Sequence, residues 1–229
     1  MQLQTWSLLL VASHIRDTPD SQLRMDLKNI WQTADLMFFW QQTTTSSIKQ
    51  LLAQNDITLV PLTVVKGDEQ FKDGVTITPA DIFAHVANGG DLCSTTAINV
   101  GEYDDLFGAL SSEYDGVIHI SLGSGFSSSY QNACIAAEDF PNVRVIDSMN
   151  LSTGQGLVVL KACELAKTAT DLDVLAAELT AYTKRIEASF LVEKLDYLVK
   201  GGRCSSAAAL GANLLNLKPC IEVRDGKMS

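Results

Sequence analysis

The chain has 229 residues, 46% of them hydrophobic and 19% charged, and a formal net charge of −10. That is enough for one large or two modest domains with a sizeable core. The acidic balance argues against binding a phosphate backbone or an anionic membrane surface, because both call for a basic patch.

The five cysteines, Cys93, Cys134, Cys163, Cys204 and Cys220, are scattered and include no C-x-x-C pair. Cys134 and Cys163, in helix-like apolar contexts, read as small buried hydrophobes of a reducing cytoplasm. Three widely separated histidines make no metal constellation. The apolar run Ser7–Ala12 is too short to span a bilayer and has no basic n-region before it, so a cytoplasmic protein is expected.

Residues 1–50 carry little pattern. Trp31–Trp40 is apolar without a clean period, and Gln41–Ser47 is a polar tract. Ile48–Gln54 reads as the end of a helix. Ile57–Val65, rich in β-branched residues, reads as a strand in which Pro61 removes one ladder donor. Turns follow at Gly67-Asp68 and at Phe71–Gly74. Thr78-Pro79-Ala80-Asp81 marks a helix start, with Thr78 as N-cap and Pro79 at the first helical position. That helix is expected to bury Ile82, Phe83 and Val86 and to stop at Asn88-Gly89-Gly90.

Ser94–Val100 is a short hydroxyl-bearing segment, followed by a helix over Tyr103–Ser111. Val117–Ser121 has the apolar run of a buried parallel strand, with His119 expected to be a satisfied core histidine. It passes through Gly123, Ser124, Gly125, Ser127 and Ser128 into a helix over Tyr130–Glu138. A strand, a Gly/Ser turn and a helix in that order place backbone N–H groups and hydroxyls at the carboxyl end of a sheet. In an α/β fold, that is where a ligand binds. No P-loop lysine and no nucleophile elbow is present, so the turn reads as an anion-binding site without an evident catalyst.

Val143–Ile146 is the next strand and ends at Asp147-Ser148, which either face the ligand or cap the next helix. Gly154 and Gly156 open a helix over Leu157–Lys167, and Thr170–Arg185 is a further helix. Phe190–Val192 is apolar and Glu193–Val199 a short helix. Lys200–Arg203 is a basic glycine turn, and Ser205–Leu215 is small and apolar. Leu217–Val223 is strand-like, with Asp225-Gly226 as a hairpin signal just before Ser229. A hairpin turn without its second strand suggests a truncated chain.

Strands alternating with helices define an α/β class, with a parallel sheet flanked by helices in an N-terminal domain over residues 1–155. A smaller α+β lid domain, incomplete at its end, is expected over 156–229.

Several segments together resemble the bacterial DegV family. Val60-Pro61-Leu62 followed by Phe71–Gly74 is similar to its V-P-L … Y-x-D-G opening, and Thr95–Tyr103 to its T-S-x-P-S-P-x-[ED]-[FY] segment. Ser124–Ala133 resembles S-x-L-S-G-T-Y-x-x-A, with Ser128 where the family has glycine. Asp147–Gly156 resembles D-S-x-x-x-S-x-G-x-G. Leu195–Arg203 is similar to L-x-Y-L-x-x-G-G-R, and Leu210–Pro219 to L-G-x-L-L-x-I-K-P. The resemblance spans about Asp56–Gly226. The strand ending in D-S-T-x-D-L that opens the family has only a faint echo in Thr33–Leu36.

The resemblance implies a two-domain, non-catalytic carrier that binds one long-chain fatty acid between its lobes and presents it to a separate fatty acid kinase. It implies that Thr95 and Ser124 hold the carboxylate, with Ser127 nearby. It implies no cofactor and no metal. Thr96 and Arg203 are further candidate ligand or partner contacts; Arg203 is equally a turn cation paired with a carboxylate. Ser127 reads as a helix N-cap more than as a ligand contact. The residues themselves leave a second reading open: a protein or enzyme for a small phosphorylated metabolite, with the Ser/Gly turn as its cradle.

Overall fold

The computed structural model describes residues 11–15, 57–191, 199 and 220–228. In chain order the elements are β1 (Val11–Ile15), β2 (Thr63–Lys66), β3 (Glu69–Lys72), α1 (Pro79–Ala87), β4 (Ser94–Thr96), α2 (Val100–Glu113), β5 (Val117–Ser121), α3 (Ser129–Ala137), β6 (Val143–Asp147), α4 (Ser152–Ala166), α5 (Leu172–Thr183), β7 (Ile186–Leu191), β8 (Cys220–Arg224) and β9 (Lys227–Met228). The class is mixed α/β.

The centre of the molecule is the parallel pair β5 and β6, in register from Val117 opposite Val143 to Ser121 opposite Asp147. Side chains alternate across it. Ile118, Ile120 and Ile146 face one core, with Leu157 and Val158 of α4 and Leu175 and Leu179 of α5. Val117, Val143 and Val145 face the other, with Tyr103 and Phe107 of α2 and Ala133 and Ala136 of α3. Small alanines on α3 let it approach the sheet closely, and Phe107 and Leu179 are wholly buried. The parallel crossover from β5 to β6 therefore leaves both strand ends, and the loops that follow them, at one level.

Two antiparallel sheets flank this pair. One has the order β3-β2-β4, the other β1-β7-β8-β9. The expected strand over 57–65 forms only as Thr63–Lys66, and it pairs antiparallel with β3 and β4. Pro61 has no donor to give a ladder. Gly67, with φ 60°, turns the chain straight back into β3, which fixes β2 as part of a hairpin. Val11–Ile15, which has no strand signal of its own, pairs with β7.

The start of α1 matches its sequence signature. Thr78 accepts from the Asp81 N–H while Asp81 accepts from Thr78, a reciprocal capping box. Its expected buried face does not form: no α1 residue is buried, and Phe83 is 50% exposed. Among the described residues no element packs broadly against this helix, so its amphipathic pattern has nothing to close on. At the other end, Asp225 and Gly226 both have positive φ, 52° and 73°, as a tight hairpin turn requires. The second strand of that hairpin is present as β9. Residues Glu193–Lys200 apart from Val199, and Gly201–Pro219 with Arg203, lie outside the described residues.

Candidate ligand site

The two loops leaving β5 and β6 are bonded to each other. The Gly123 N–H donates to the Asn150 carbonyl at 2.9 Å, and the Ser148 N–H to the Ser121 carbonyl at 3.3 Å. A Cβ on Gly123 would stand 2.8 Å from the Asn150 nitrogen, so only glycine allows this approach.

The β6 loop is held by its own side chains. The buried Ser148 hydroxyl donates to the Asn150 carbonyl at 2.9 Å and accepts its N–H at 3.2 Å. Buried Asn150 donates from Nδ2 to the Ile186 carbonyl at 3.3 Å, which ties the loop to β7. A Cβ on Gly154 would collide with the Asn150 amide, so that glycine serves Asn150 rather than the helix start. Ser148 is thus structural, and α4 begins two residues before Gly154.

Asp147, at the end of β6, is the hub of the β5 loop. Its Oδ1 accepts the Ser124 N–H at 3.0 Å and the Met149 N–H at 2.8 Å, and its Oδ2 accepts the Ser124 hydroxyl at 2.5 Å. A short O–H···O⁻ bond of this kind is about twice as strong as a neutral one. Among the described residues no cation pairs with Asp147.

Ser127 serves the start of α3. Its hydroxyl accepts the Ser129 N–H at 3.1 Å and lies 2.9 Å from the Ser129 hydroxyl, a local side-chain-to-backbone bond at the helix entry. Buried Ser129 in turn accepts the Ile98 N–H at 3.2 Å, and Asn132 donates to the Ile98 carbonyl at 2.7 Å. These bonds fasten the chain leaving β4 to the first turn of α3. Burial pushes the pKa of the Tyr103 hydroxyl up to about 12, and neighbouring Ser129 and Ser121 offset part of that rise.

Thr95 and Thr96 lie on β4, opposite Val64 and Thr63, and both are exposed. Successive strand residues face opposite sides, so one of the two at most looks towards the β5 loop. Arg203 lies outside the described residues. Sequence reasoning missed Asp147 as the partner of Ser124, and it missed Asn150, Ser129 and Tyr103. Only the Gly154 position carried a signal, a glycine within a helix that a close neighbour explains.

A cavity of about 590 Å³ lies beside β5, between Leu106 and Leu110 of α2 and Val159 and Cys163 of α4. Ser121 and Ser129 contribute to its wall; Thr95, Ser124 and Ser127 do not. In the ladder, the odd residues of β5 bond β6, so Ile118 and Ile120 direct their backbone groups the other way, into the cavity. The Ile120 carbonyl takes the Gln155 amide at 3.1 Å.

His119 also lines the cavity, edge-on to Tyr103 and Phe107 with centroids 5.0 and 5.5 Å away. It is not a satisfied core histidine: among the described residues its buried Nε2 has no hydrogen-bond partner, and burial lowers its pKa to about 4. Among the described residues no cluster of three or more ligating side chains could hold a metal, and no helix is long and apolar enough to cross a membrane.

Loops carrying hydroxyls and close-packed glycines at the carboxyl end of a parallel pair make this edge of a mixed α/β protein the candidate place for a small ligand. The family model described as "Uncharacterised protein, DegV family" matches residues 43–229, and the chain belongs to that family. A DegV domain-containing protein of Clostridium perfringens is 32% identical over 79% of this chain and 66% of its own length. Protein DegV of Bacillus subtilis is 33% identical over 76% of this chain and 63% of its own. The chain therefore spans just under two thirds of these relatives.

Among solved structures, a DegV family protein from Thermus thermophilus described by its fatty acid binding superposes with a TM-score of 0.70 at 30% identity, over 79% of this chain and 65% of that one. DegV from Bacillus subtilis, described as a fatty acid binding protein, gives 0.67 at 32% identity, over 79% and 65%.

Proposed function

We propose that this protein binds one long-chain fatty acid, with its head group at the Gly/Ser loop after β5, and presents that head group to a separate fatty acid kinase. In this reading the protein is a carrier inside the cell and not a catalyst. The covering lobe, expected over residues 156–229, begins in this reading only after α5, because α4 and α5 pack on β5 and β6 of residues 1–155. Thr95, Ser124 and Ser127 are the head-group residues, with Thr96 and Arg203 as further ligand or partner contacts.

The observation that carries it is the hydroxyl-bearing β5 loop. It is fixed at the sheet edge by Asp147 and Ser129, and β4 is tied to the same helix start through Ile98. Likeness to solved structures described as binding fatty acids supports the choice of ligand. The energetics fit as well. Burying about sixteen carbons at about 0.8 kcal/mol each gives on the order of 10 kcal/mol before costs, so the polar residues need only orient the head group. A phosphorylated metabolite fits less well, because a dianion would meet the Asp147 carboxylate with no described cation beside it.

The test is a Thr95→Ala, Ser124→Ala double variant titrated with oleate by displacement of a fluorescent fatty acid. Affinity is expected to fall several-fold while the variant stays folded. Unchanged affinity contradicts the site assignment.

A further inference from the structure

We infer that Asn132 is a positioning residue for the ligand site: together with Ser129 it grips Ile98, and so sets where Thr95 stands relative to the loop that carries Ser124. The inference rests on the fatty-acid reading. It deepens that reading by adding a residue that shapes the head-group site without meeting the ligand.

Ile98 is buried, so its backbone N–H and carbonyl both need partners. Both partners stand on α3. The Ser129 hydroxyl accepts the Ile98 N–H at 3.2 Å, and the Asn132 amide donates to the Ile98 carbonyl at 2.7 Å. Residues three apart on a helix share a face, so one turn of α3 takes hold of two successive peptide groups. A single hydrogen bond would let the chain pivot about it; two fix its direction as well as its place. The same turn is tied to the β5 loop, because Ser127 accepts the Ser129 N–H at 3.1 Å.

Ile98 is a junction of three elements. After it, Asn99 caps α2: its side chain accepts the Glu102 N–H at 2.9 Å, and Glu102 accepts the Asn99 N–H at 3.1 Å. Before it, Thr95 is three residues away, within about 10 Å of extended chain. Thr95 itself is paired with Val64 in the ladder of β4 and β2. The grip is thus the point at which β4 takes its place against α3. Ser129 also meets the Ser127 hydroxyl, so Asn132 is the member whose loss reports on the grip alone.

The experiment is a double-mutant cycle on the full chain, read as oleate affinity by displacement of one fluorescent fatty acid. Asn132→Ala removes the amide and keeps a good helix former. It is expected to weaken oleate about fivefold, the size of one hydrogen bond. Thr95→Ala is expected to cost several-fold in the wild type. In the Asn132→Ala background it is expected to cost less than about twofold, because the threonine is already out of place. Ser124 is held by Asp147 and not by the grip, so Ser124→Ala is expected to cost the same in both backgrounds.

If Asn132 serves the fold alone, its loss adds to those at Thr95 and at Ser124 alike. That additive result overturns the inference while the fatty-acid reading stands. If Asn132→Ala does not fold, Asn132→Ser, whose hydroxyl is too short to reach Ile98, takes its place in the same cycle. Thr95→Ala without effect in the wild type overturns the inference and the Thr95 assignment together. A wild type that binds no oleate overturns the fatty-acid reading as well.

Discussion

Two hydroxyl-bearing segments lead towards the start of α3 and differ in how much of their chemistry is already used. On β4, Thr95 and Thr96 are exposed, and among the described residues no hydrogen bond goes to either hydroxyl. On the loop after β5, Ser124 is committed to Asp147 and Ser127 to Ser129. The number of hydroxyls is similar, but their availability is not. Recognition by such segments depends on the second partner of each hydroxyl as much as on the hydroxyl itself.

The rigidity of the β5 loop is the first part of that contrast to attack. Gly123→Ala places a methyl group against backbone on the β6 loop, 2.8 Å from one atom and 3.0 Å from another. Neither can move without breaking the loop-to-loop bonds. The expected loss is about 3 kcal/mol, at the upper end for overpacking, read as a drop in the urea midpoint. A loss below about 0.5 kcal/mol, within the range of an ordinary surface change, breaks the picture of a locked loop.

The floor beneath the loop is pH-sensitive through His119. Burial lowers its pKa from the ordinary 6.5 to about 4. The unfolded chain therefore takes up a proton that the folded chain refuses. The stability from neutral His119 is full above the unfolded value and is lost progressively as pH falls towards the folded one. Between about pH 7.5 and about pH 5 this amounts to at most about 2 kcal/mol. In His119→Leu that part of the acid sensitivity is expected to vanish, as seen by urea unfolding at the two pH values. An acid limb as steep as the wild type's contradicts it.

The smallest effect isolates the contrast itself. Ser124→Ala should cost about 1 kcal/mol, because a charge-assisted bond to a half-buried carboxylate is lost. Thr95→Ala on the exposed edge of β4 should stay within about 0.5 kcal/mol. Thermal unfolding of the two single variants side by side reads the difference. Equal losses would erase the distinction between committed and free hydroxyls.

The site's location could be read from the chain because its signals are local. Val117–Ser121 followed by Gly123, Gly125 and a run of serines shows where a strand gives way to a helix, and that is where the loop lies. The capping box at Thr78 and Asp81 is local too, spanning one helical turn. What the hydroxyls do could not be read, because their partners are remote. Asp147 is 23 positions from Ser124, and Ile98 is 31 from Ser129. Nothing in a serine's neighbours in the chain tells whether its proton is spent. The same limit explains α1, whose apolar positions predict burial although among the described residues no element packs broadly on them. It also explains Ile57–Val65, where composition favours strand and pairing decides how much of it forms. His119 sits in an apolar strand like any core residue, and only its surroundings show that Nε2 goes unpaired among the described residues.

The most direct test of the fatty-acid reading is native mass spectrometry of the full chain purified from a bacterial host, with denaturation and lipid analysis of the released material. The account predicts one long-chain fatty acid per folded chain, lost on denaturation. A folded chain that carries no lipid, and gains none when oleate is added, would contradict it.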